Sequence, residues 1–275
     1  EGLFSQERSL VFPMLRRVPN DTHASLLYRI GTDIMSLTGI NSLVPKQLST
    51  KKVSIDGGLT VVNEYGVGKA NVGGARGSYM KPVVEVRQTV FPSRTLPMVC
   101  EIYCVRNITD KPLVINIPEF SQSTETLADK GVDGGYVIRG DIFGCGTYIL
   151  DPQNDIEFQV AFQAYRASNE NMIVPNVSDE YESRMSFVHE DIDSSLILNT
   201  PDSTINTEFR FAKIRASESI YRTKGGLMHG PGGESYYAAL WCNDECEYVN
   251  PFFPFLGYST GNESAFNCYR LYSRY

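Results

Sequence analysis

The run Val83-Val84-Glu85-Val86-Arg87-Gln88-Thr89-Val90-Phe91 closes at Pro92-Ser93. A second run from Met98 to Val105 leads into the turn Asn107-Ile108-Thr109-Asp110-Lys111-Pro112, and Leu113-Val114-Ile115-Asn116-Ile117 follows at once. β-Branched and aromatic side chains suit a pleated, half-buried surface, and Pro, Asn and Asp punctuate the connections, so these runs predict strands joined by short turns. Runs of the same kind recur at Tyr136-Val137-Ile138, at Thr147-Tyr148-Ile149-Leu150 and from Phe158 to Tyr165. Turn signals spaced about 8 to 12 residues apart are those of an antiparallel β-sandwich, expected here from Leu10 to about Leu198.

Upstream, the alternation of Leu26, Tyr28 and Ile30 and the punctuation by Gly31 and Gly39 make Ala24 to Ile40 read as strand, with a helical reading left open. The Gly-rich stretch from Gly66 to Ser78 reads as a long loop. Its Gly73-Gly74-x-x-Gly77 lacks the strand, helix and acidic partner of a nucleotide fingerprint.

The pattern changes near Asn199-Thr200-Pro201-Asp202-Ser203. Ile205, Phe209, Ala212, Ala216 and Ile220 fall at helical spacing, with Gly225-Gly226 as a stop. A second helix is expected from about Ser235 to Tyr248, ending before Asn250-Pro251, after the turn Gly230-Pro231-Gly232-Gly233. A third is expected from Thr260, whose spacing to Glu263 is that of a capping box. The fold class is therefore mainly β, a large antiparallel β-sandwich over residues 1–198 followed by a short α-helical segment over residues 199–275.

Composition narrows the function classes. The chain of 275 residues is 42% hydrophobic and 21% charged, which excludes a disordered tail, a collagen-like fibre or a coiled coil. Lys and Arg number 25 against 32 Asp and Glu, a formal net charge of −7, and no basic cluster is present, so neither nucleic acid nor an anionic lipid surface is an expected partner. No apolar stretch approaches the roughly 18 residues of a membrane span. The 16 Tyr, 14 Phe and single Trp supply flat surfaces for a core or for stacking on sugars. The opening Glu1-Gly2-Leu3-Phe4-Ser5 has no initiator Met and no leader pattern, the expectation for a processed, exported chain, secreted, periplasmic or at the cell surface.

The six cysteines are too sparse for a disulfide scaffold. Cys242 and Cys246 would lie one helical turn apart, where disulfide geometry is rarely met, and no second pair of ligands accompanies them, so no metal is expected. His23, His189 and His229 share no spacing with one another or with Cys and read as packing residues. Glu180, Glu182, Glu190, Asp191 and Asp193 lack the offsets of a calcium loop and read as a solvated face. No cofactor is expected.

The most distinctive stretch lies in the helical segment: Gly225-Gly226-Leu227-Met228-His229-Gly230-Pro231-Gly232-Gly233, then Tyr236-Tyr237-Ala238-Ala239-Leu240-Trp241-Cys242-Asn243-Asp244-Glu245-Cys246-Glu247-Tyr248-Val249-Asn250-Pro251-Phe252-Phe253-Pro254-Phe255-Leu256-Gly257. On an α-helix, Tyr237, Trp241, Asp244 and Tyr248 share a face, with Glu247 beside them. A sugar offers such a face C–H surfaces for its rings and hydroxyl donors for its carboxylates. Pairing of Asp244 and Glu247 with Arg, or capping of a neighbouring turn, stays open as the plainer role.

This stretch resembles the bacterial six-hairpin glycosidases and, more distantly, glucoamylases and glycogen-debranching enzymes, through Trp241-x-Asn243-Asp244-x-x-Glu247-Tyr248. Val86 to Arg94 and Arg106 to Pro112 look like the strands of the sandwich that commonly precedes their barrel. The resemblance implies that residues 199–275 begin an α/α six-hairpin barrel and that the chain is the amino-terminal part of a secreted glycoside hydrolase acting on an oligo- or polysaccharide with inversion. Inverting chemistry needs two carboxyls about 6.5 to 9.5 Å apart, and Asp244 and Glu247 sit too close together to be that pair. The resemblance thus implies that later hairpins supply the acid and base. Asp244 becomes a sugar-gripping residue first and the catalytic acid second, while Trp241, Asn243, Glu247 and Tyr248 become substrate-binding residues.

Three helices cannot close such a barrel, so the 275-residue chain alone is expected to be inactive. Its helical face, with Phe252, Phe253 and Phe255 nearby, is expected to self-associate or to pack on the sandwich. The alternative is a non-catalytic carbohydrate-binding or assembly module made chiefly of the sandwich.

Overall fold

In the computed structural model of the chain, residues 3–12, 26–68, 80–131, 134–167, 172–223, 225–230 and 241–274 are described. Gly73, Gly74 and Gly77, the turn at Pro231-Gly232-Gly233, Ser235 to Leu240 with Tyr236 and Tyr237, and His23 lie outside these residues. The chain divides into two compact units, Glu1–Leu10 with Tyr28–Arg184, and Val11–Leu27 with Met185–Tyr275. In chain order the elements are β1 (Ser9–Phe12), β2 (Leu26–Arg29), α1 (Ile34–Leu37), β3 (Gly39–Ile40), β4 (Lys46–Asp56), β5 (Gly58–Gly66), β6 (Pro82–Pro92), β7 (Met98–Asn107), β8 (Leu113–Ile117), β9 (Ser121–Glu125), β10 (Tyr136–Phe143), β11 (Gly146–Leu150), β12 (Asp155–Arg166), α2 (Val177–Ser186), α3 (Ser203–Glu218), β13 (Ile220–Thr223), β14 (Gly226–His229), α4 (Asn250–Leu256) and α5 (Ser259–Tyr272).

The first unit is mainly β. Seven antiparallel strands run in the order β4-β5-β6-β7-β12-β10-β9, and β11-β8-β3 form a second, three-stranded sheet. The run that begins at Val83 becomes β6, whose alternate residues Val84 and Val86 are buried, and its partner β7 sets Val105 opposite Val86 and Cys100 opposite Phe91. This is the period-two burial that the sequence announces. Phe91, Met98, Cys100 and Ala161 form a core cluster, and Tyr103 stacks on Phe158 with ring centroids 4.8 Å apart. The turn after β7 is tied by Asn107, fully buried, whose amide nitrogen donates to the carbonyls of Lys111 and Leu150, both at 2.8 Å. Its Oδ1 accepts from the Thr109 amide at 2.9 Å, closing an Asx turn over Asn107-Ile108-Thr109.

Two segments of this unit depart from the strand expectation. Among the described residues up to Ile40, from Leu26 on, the strand is confined to β2 and the short β3, and Asp33 caps the single turn α1 through Ser36. Residues 177–186 are helix α2, unforeseen because two of the residues it turns inward do not look like core residues. Val177 packs in the Phe91 cluster, Tyr181 meets Phe91 edge-on at 5.3 Å, and the buried Arg184 donates through Nε to the Gly57 carbonyl at 2.6 Å. These fall at i, i+4 and i+7, one helix face. Glu180 and Glu182 lie on α2, where Glu182 is exposed.

The second unit is mainly helical, with one hairpin. After α2 the chain passes through a π-helical turn, Phe187–Ile192, that buries Phe187, Val188 and Ile192. Helix α3 starts at its Asp202 cap, whose carboxylate accepts from the Thr204 amide at 2.8 Å. The expected inward face is corrected. Ile205 and Ala212 are exposed, and Lys213, Ile214 and Ser217 are the buried residues. Electrostatics turns the helix this way. Lys213 Nζ donates to the carbonyls of Ile192 and Ser195 at 2.7 and 2.8 Å, filling acceptors left open where the π-turn ends, and Arg210 forks onto Asp193 at 2.7 Å. The Arg210 hydrogen bonds hold the Asp193 carboxyl below its usual range.

Ile220 is also not helical. It opens the hairpin β13–β14, whose β-branched and aromatic residues Ile220, Tyr221 and Thr223 fit a strand better than a fifth helical turn, with Gly226 at a φ of 101° that suits only glycine. The expected helix end before Asn250-Pro251 is overturned as well. A π-helical turn, Asp244–Val249, runs straight into α4, with the Asn250 amide bonding to the Glu245 carbonyl in i+5 register. Pro251 is the second residue of α4, directly after the π-helical turn. Helix α4 ends on left-handed Gly257, φ 75°, whose amide bonds to the Phe253 carbonyl at 2.9 Å. Helix α5 begins at Ser259 after Tyr258, so Thr260 sits inside the first turn rather than at the cap.

The core of this unit gathers Phe187, Val188, Ile192, Ile214, Phe253, Leu256 and Ala265. Phe253, expected on an outward aromatic face, is thus at the centre, while Phe255 remains 74% exposed. Gly261 of α5 lies against the Phe253 ring, where an added Cβ would stand 2.2 Å from Cδ1. Gly261→Ala should therefore destabilise by about 1 to 3 kcal/mol through overpacking, outweighing the roughly 1 kcal/mol gained in helix propensity. An unchanged or raised melting temperature would refute this packing.

Candidate functional site

The segment Trp241 to Tyr248 lies in the second unit, and its local geometry differs from the α-helical premise. From Asp244 to Val249 it is π-helical, so residues five apart stack, and the four-three-four spacing no longer defines one face. Trp241 and Asp244 are half-buried. Asn243 and Glu247 are exposed, and Tyr248 is 67% exposed. The turn thus presents two carboxylates, an amide and a phenol toward solvent, with the indole at its start.

The residue that the sequence reading passed over is Glu245, 0% exposed between its two more open acidic neighbours. Its backbone amide donates to the Trp241 carbonyl at 2.9 Å. Its Oε2 accepts from the Cys268 thiol of α5 at 2.7 Å. Among the described residues, Oε1 has no hydrogen-bond partner, and neither has the buried Tyr272 hydroxyl. Burial pushes the Glu245 carboxyl up to about 7, with the Asp244 charge adding to it and the Cys268 hydrogen bond opposing. Cys268 is itself pushed up to about 12 by burial and then by Glu245, and Cys246 is raised by burial, so these are poor thiolate nucleophiles.

Cys242 Sγ lies 4.0 Å from Cys246 Sγ, and all six cysteines are free thiols. Among the described residues no group of three or more His, Cys, Asp or Glu is placed to hold a metal ion. The nearby His229 is buried on β14 against Phe253, ring centroids 6.1 Å apart. Burial drives its imidazole down to about 4 against the opposing pull of Asp244 and the Ala216 backbone. The only sequence signal for Glu245 is its place in the acidic Asp244-Glu245-x-Glu247 cluster, and nothing there distinguishes the inward carboxylate.

A second constellation occupies the β unit. A cavity of about 810 Å³ opens between residues 4–8, 29–36 and 44–47 on one side and Val61, Asn63 and Tyr65 of β5, Gln88 of β6 and Tyr103 of β7 on the other. Behind it Glu101 is completely buried. Its Oε1 pairs with the Arg8 guanidinium, which also donates to the Thr32 carbonyl. Its Oε2 accepts from Gln88 Nε2 at 2.8 Å and from the Tyr103 hydroxyl at 2.6 Å. Gln88 also donates to the Tyr103 oxygen at 2.7 Å, and Arg8 lies over the Phe162 ring at 5.6 Å. Burial first, and then the Glu101 charge, raise the Tyr103 phenol well above its ordinary value, so it stays a donor. Both Glu101 oxygens, the Arg8 guanidinium, the Gln88 amide nitrogen and the Tyr103 hydroxyl are thus engaged with one another or with the Thr32 carbonyl. The network is a rigid support for the wall in front of it.

Among the described residues no helix is long and apolar enough to cross a membrane. Comparison of the chain with protein-family models and with curated proteins gives no match.

Proposed function

We propose that the chain is the front part of a secreted glycoside hydrolase, in which a sandwich-like β unit precedes the opening helices of an α/α barrel. On this reading the Trp241–Tyr248 turn contacts an oligo- or polysaccharide. One observation carries it: Asn243, Asp244, Glu247 and Tyr248 stand at least partly open on a single turn whose other side is anchored by buried Glu245. Partly open carboxylates and an amide can accept and donate to sugar hydroxyls, and the Tyr248 and Trp241 rings offer stacking surface. The inward Glu245 fixes the turn, so the contacting groups need no reordering when sugar binds. Asp244 is the residue assigned to grip the sugar. The inverting acid and base are assigned to hairpins beyond this segment, and the 275-residue chain alone is accordingly assigned no turnover.

The test is hydrolysis of a panel of aryl glycosides and oligosaccharides by the protein carried past Tyr275, with Asp244→Asn alongside. Turnover is expected in the longer protein. The variant should lose on the order of 10²-fold in kcat/KM, because a contact made in the transition state is removed, with little change in melting temperature. No turnover of any glycoside, or full activity in Asp244→Asn, would sink the reading.

A further inference from the structure

The cavity of the β unit has no part in that reading, and its chemistry defines a ligand of its own. Its cations are already answered. Arg8 is neutralised by Glu101 and Arg29 by Glu7 at the rim, and Lys46 and Asp33 add one cation and one anion to the lining, so the formal charges cancel. No net charge is left for an anion or a cation to satisfy. Beside these charges the space is faced by the polar, uncharged groups Asn63, Tyr65, Gln47 and Gln88. Asn63 is held on the wall by the Thr50 hydroxyl, which donates to its Oδ1 at 2.8 Å. Asp33 lies near the Tyr65 phenol, which burial and then the Asp33 charge push up to about 12 against an opposing hydrogen bond from Asn63, so Tyr65 keeps its proton and presents a donor. Phe4 and Tyr65 add ring surface. The volume falls in the range of about 300 to 1,000 Å³ typical of small-molecule sites.

We infer that this cavity binds an uncharged, hydroxyl-rich ligand, a neutral mono- or oligosaccharide, with the Asp33 carboxylate accepting from its hydroxyls, Tyr65 and Asn63 hydrogen-bonding it, and Phe4 and Tyr65 meeting its C–H faces. The chemistry follows from the charge balance. A phosphorylated or carboxylated ligand would bring an anion to a site whose guanidinium groups are taken, and an apolar ligand would strand Asp33, Asn63 and Tyr65 without water. The inference stands whether or not the chain belongs to a hydrolase.

It is tested by ligand-observed NMR on the 275-residue chain with glucose, galactose, mannose and xylose and their neutral disaccharides, set against glucose 6-phosphate and glucuronate. At least one neutral sugar should bind, more tightly than either charged analogue. Tyr65→Ala should abolish the signal, and Asp33→Asn should weaken binding. Ile149→Ala, at a position 77% exposed on β11, should leave it unchanged. If Tyr65→Ala fails to fold, Tyr65→Phe removes only the hydroxyl and should cost about tenfold in affinity. The inference is overturned if no neutral sugar binds, if a charged analogue binds better, or if a folded Tyr65 variant binds with undiminished affinity. Binding that is undiminished in Tyr65→Phe but disappears in Asp244→Asn would place the sugar on the helical unit and leave the proposed function standing without this site.

Discussion

Replacing Glu245 by Gln should expose a pH dependence of stability that the parent protein conceals, and replacing His229 by Leu should expose the opposite one. Folded Glu245 keeps its proton up to about pH 7, whereas the unfolded chain releases it near 4.5. Between those values the folded state holds more protons, so this residue's contribution to stability falls as pH rises. His229 runs the other way. The unfolded imidazole takes a proton below about 6.5, while the folded one resists down to about 4, so its contribution rises with pH across that interval. Each window spans about 2.5 pH units, worth about 3 kcal/mol, and the two overlap almost completely, so they largely cancel in the parent. Glu245→Gln leaves the histidine alone, and stability should drop by about 3 kcal/mol as pH falls from 6.5 toward 4. His229→Leu leaves the glutamate, and stability should drop by a similar amount as pH rises from 4.5 to 7. Trp241 is the single tryptophan and lies in the same unit, so its fluorescence in urea titrations at a series of pH values reports the transition directly. Three parallel profiles would show that neither buried group titrates as described.

That compensation could not be read from the sequence, and the reason is physical. Glu245 and His229 are 16 positions apart in the chain, and nothing local to either announces burial. The β unit was far more legible. The alternation in β6, β7 and β8 is strictly local, and a strand buried on alternate positions declares itself over five residues. Where a long polar side chain is used as core, the same logic failed. In α3 the inward face is set by Lys213 reaching the carbonyls that end the π-turn, so the apolar stripe from Ile205 to Ile220 pointed to a different face. In α2 the buried Arg184 broke an apolar pattern that Val177 and Tyr181 had begun.

The candidate turn was found from its residue types and a resemblance, but its π geometry was not. The bonding that carries the chain past Pro251 is a five-residue closure, and the sequence gives no sign of it beyond the proline itself. The helix stop expected before Asn250-Pro251 treats that proline as a breaker, whereas the chain passes from the π-helical turn straight into α4 across it. The inward Glu245 accepts from Cys268 of α5, a partner 23 positions further along the chain that no local pattern announces. The cavity of the β unit was hidden for a different reason. Arg8 and Glu101 are separated by 93 positions, and no local pattern links an arginine near the start of the chain to a glutamate inside β7.

Arg8→Ala should be among the most destabilising single changes in the β unit, by about 3 to 5 kcal/mol, because it strands Glu101 as a fully buried carboxylate. The Gln88 and Tyr103 hydrogen bonds remain, yet both fall on Oε2, and Oε1 loses the Arg8 guanidinium. Glu101→Gln alone should cost less, about 1 to 3 kcal/mol, since the amide keeps the shape and one acceptor while Arg8, 11% exposed at its side chain, retains some access to water. The decisive measurement is the double variant. With no carboxylate left to desolvate, Arg8→Ala with Glu101→Gln should be more stable than Arg8→Ala alone, a non-additivity of about 2 kcal/mol or more in a urea-unfolding cycle. Additive costs would mean that the two side chains act independently, and that the wall of the cavity is held by Gln88 and Tyr103 without the ion pair behind them.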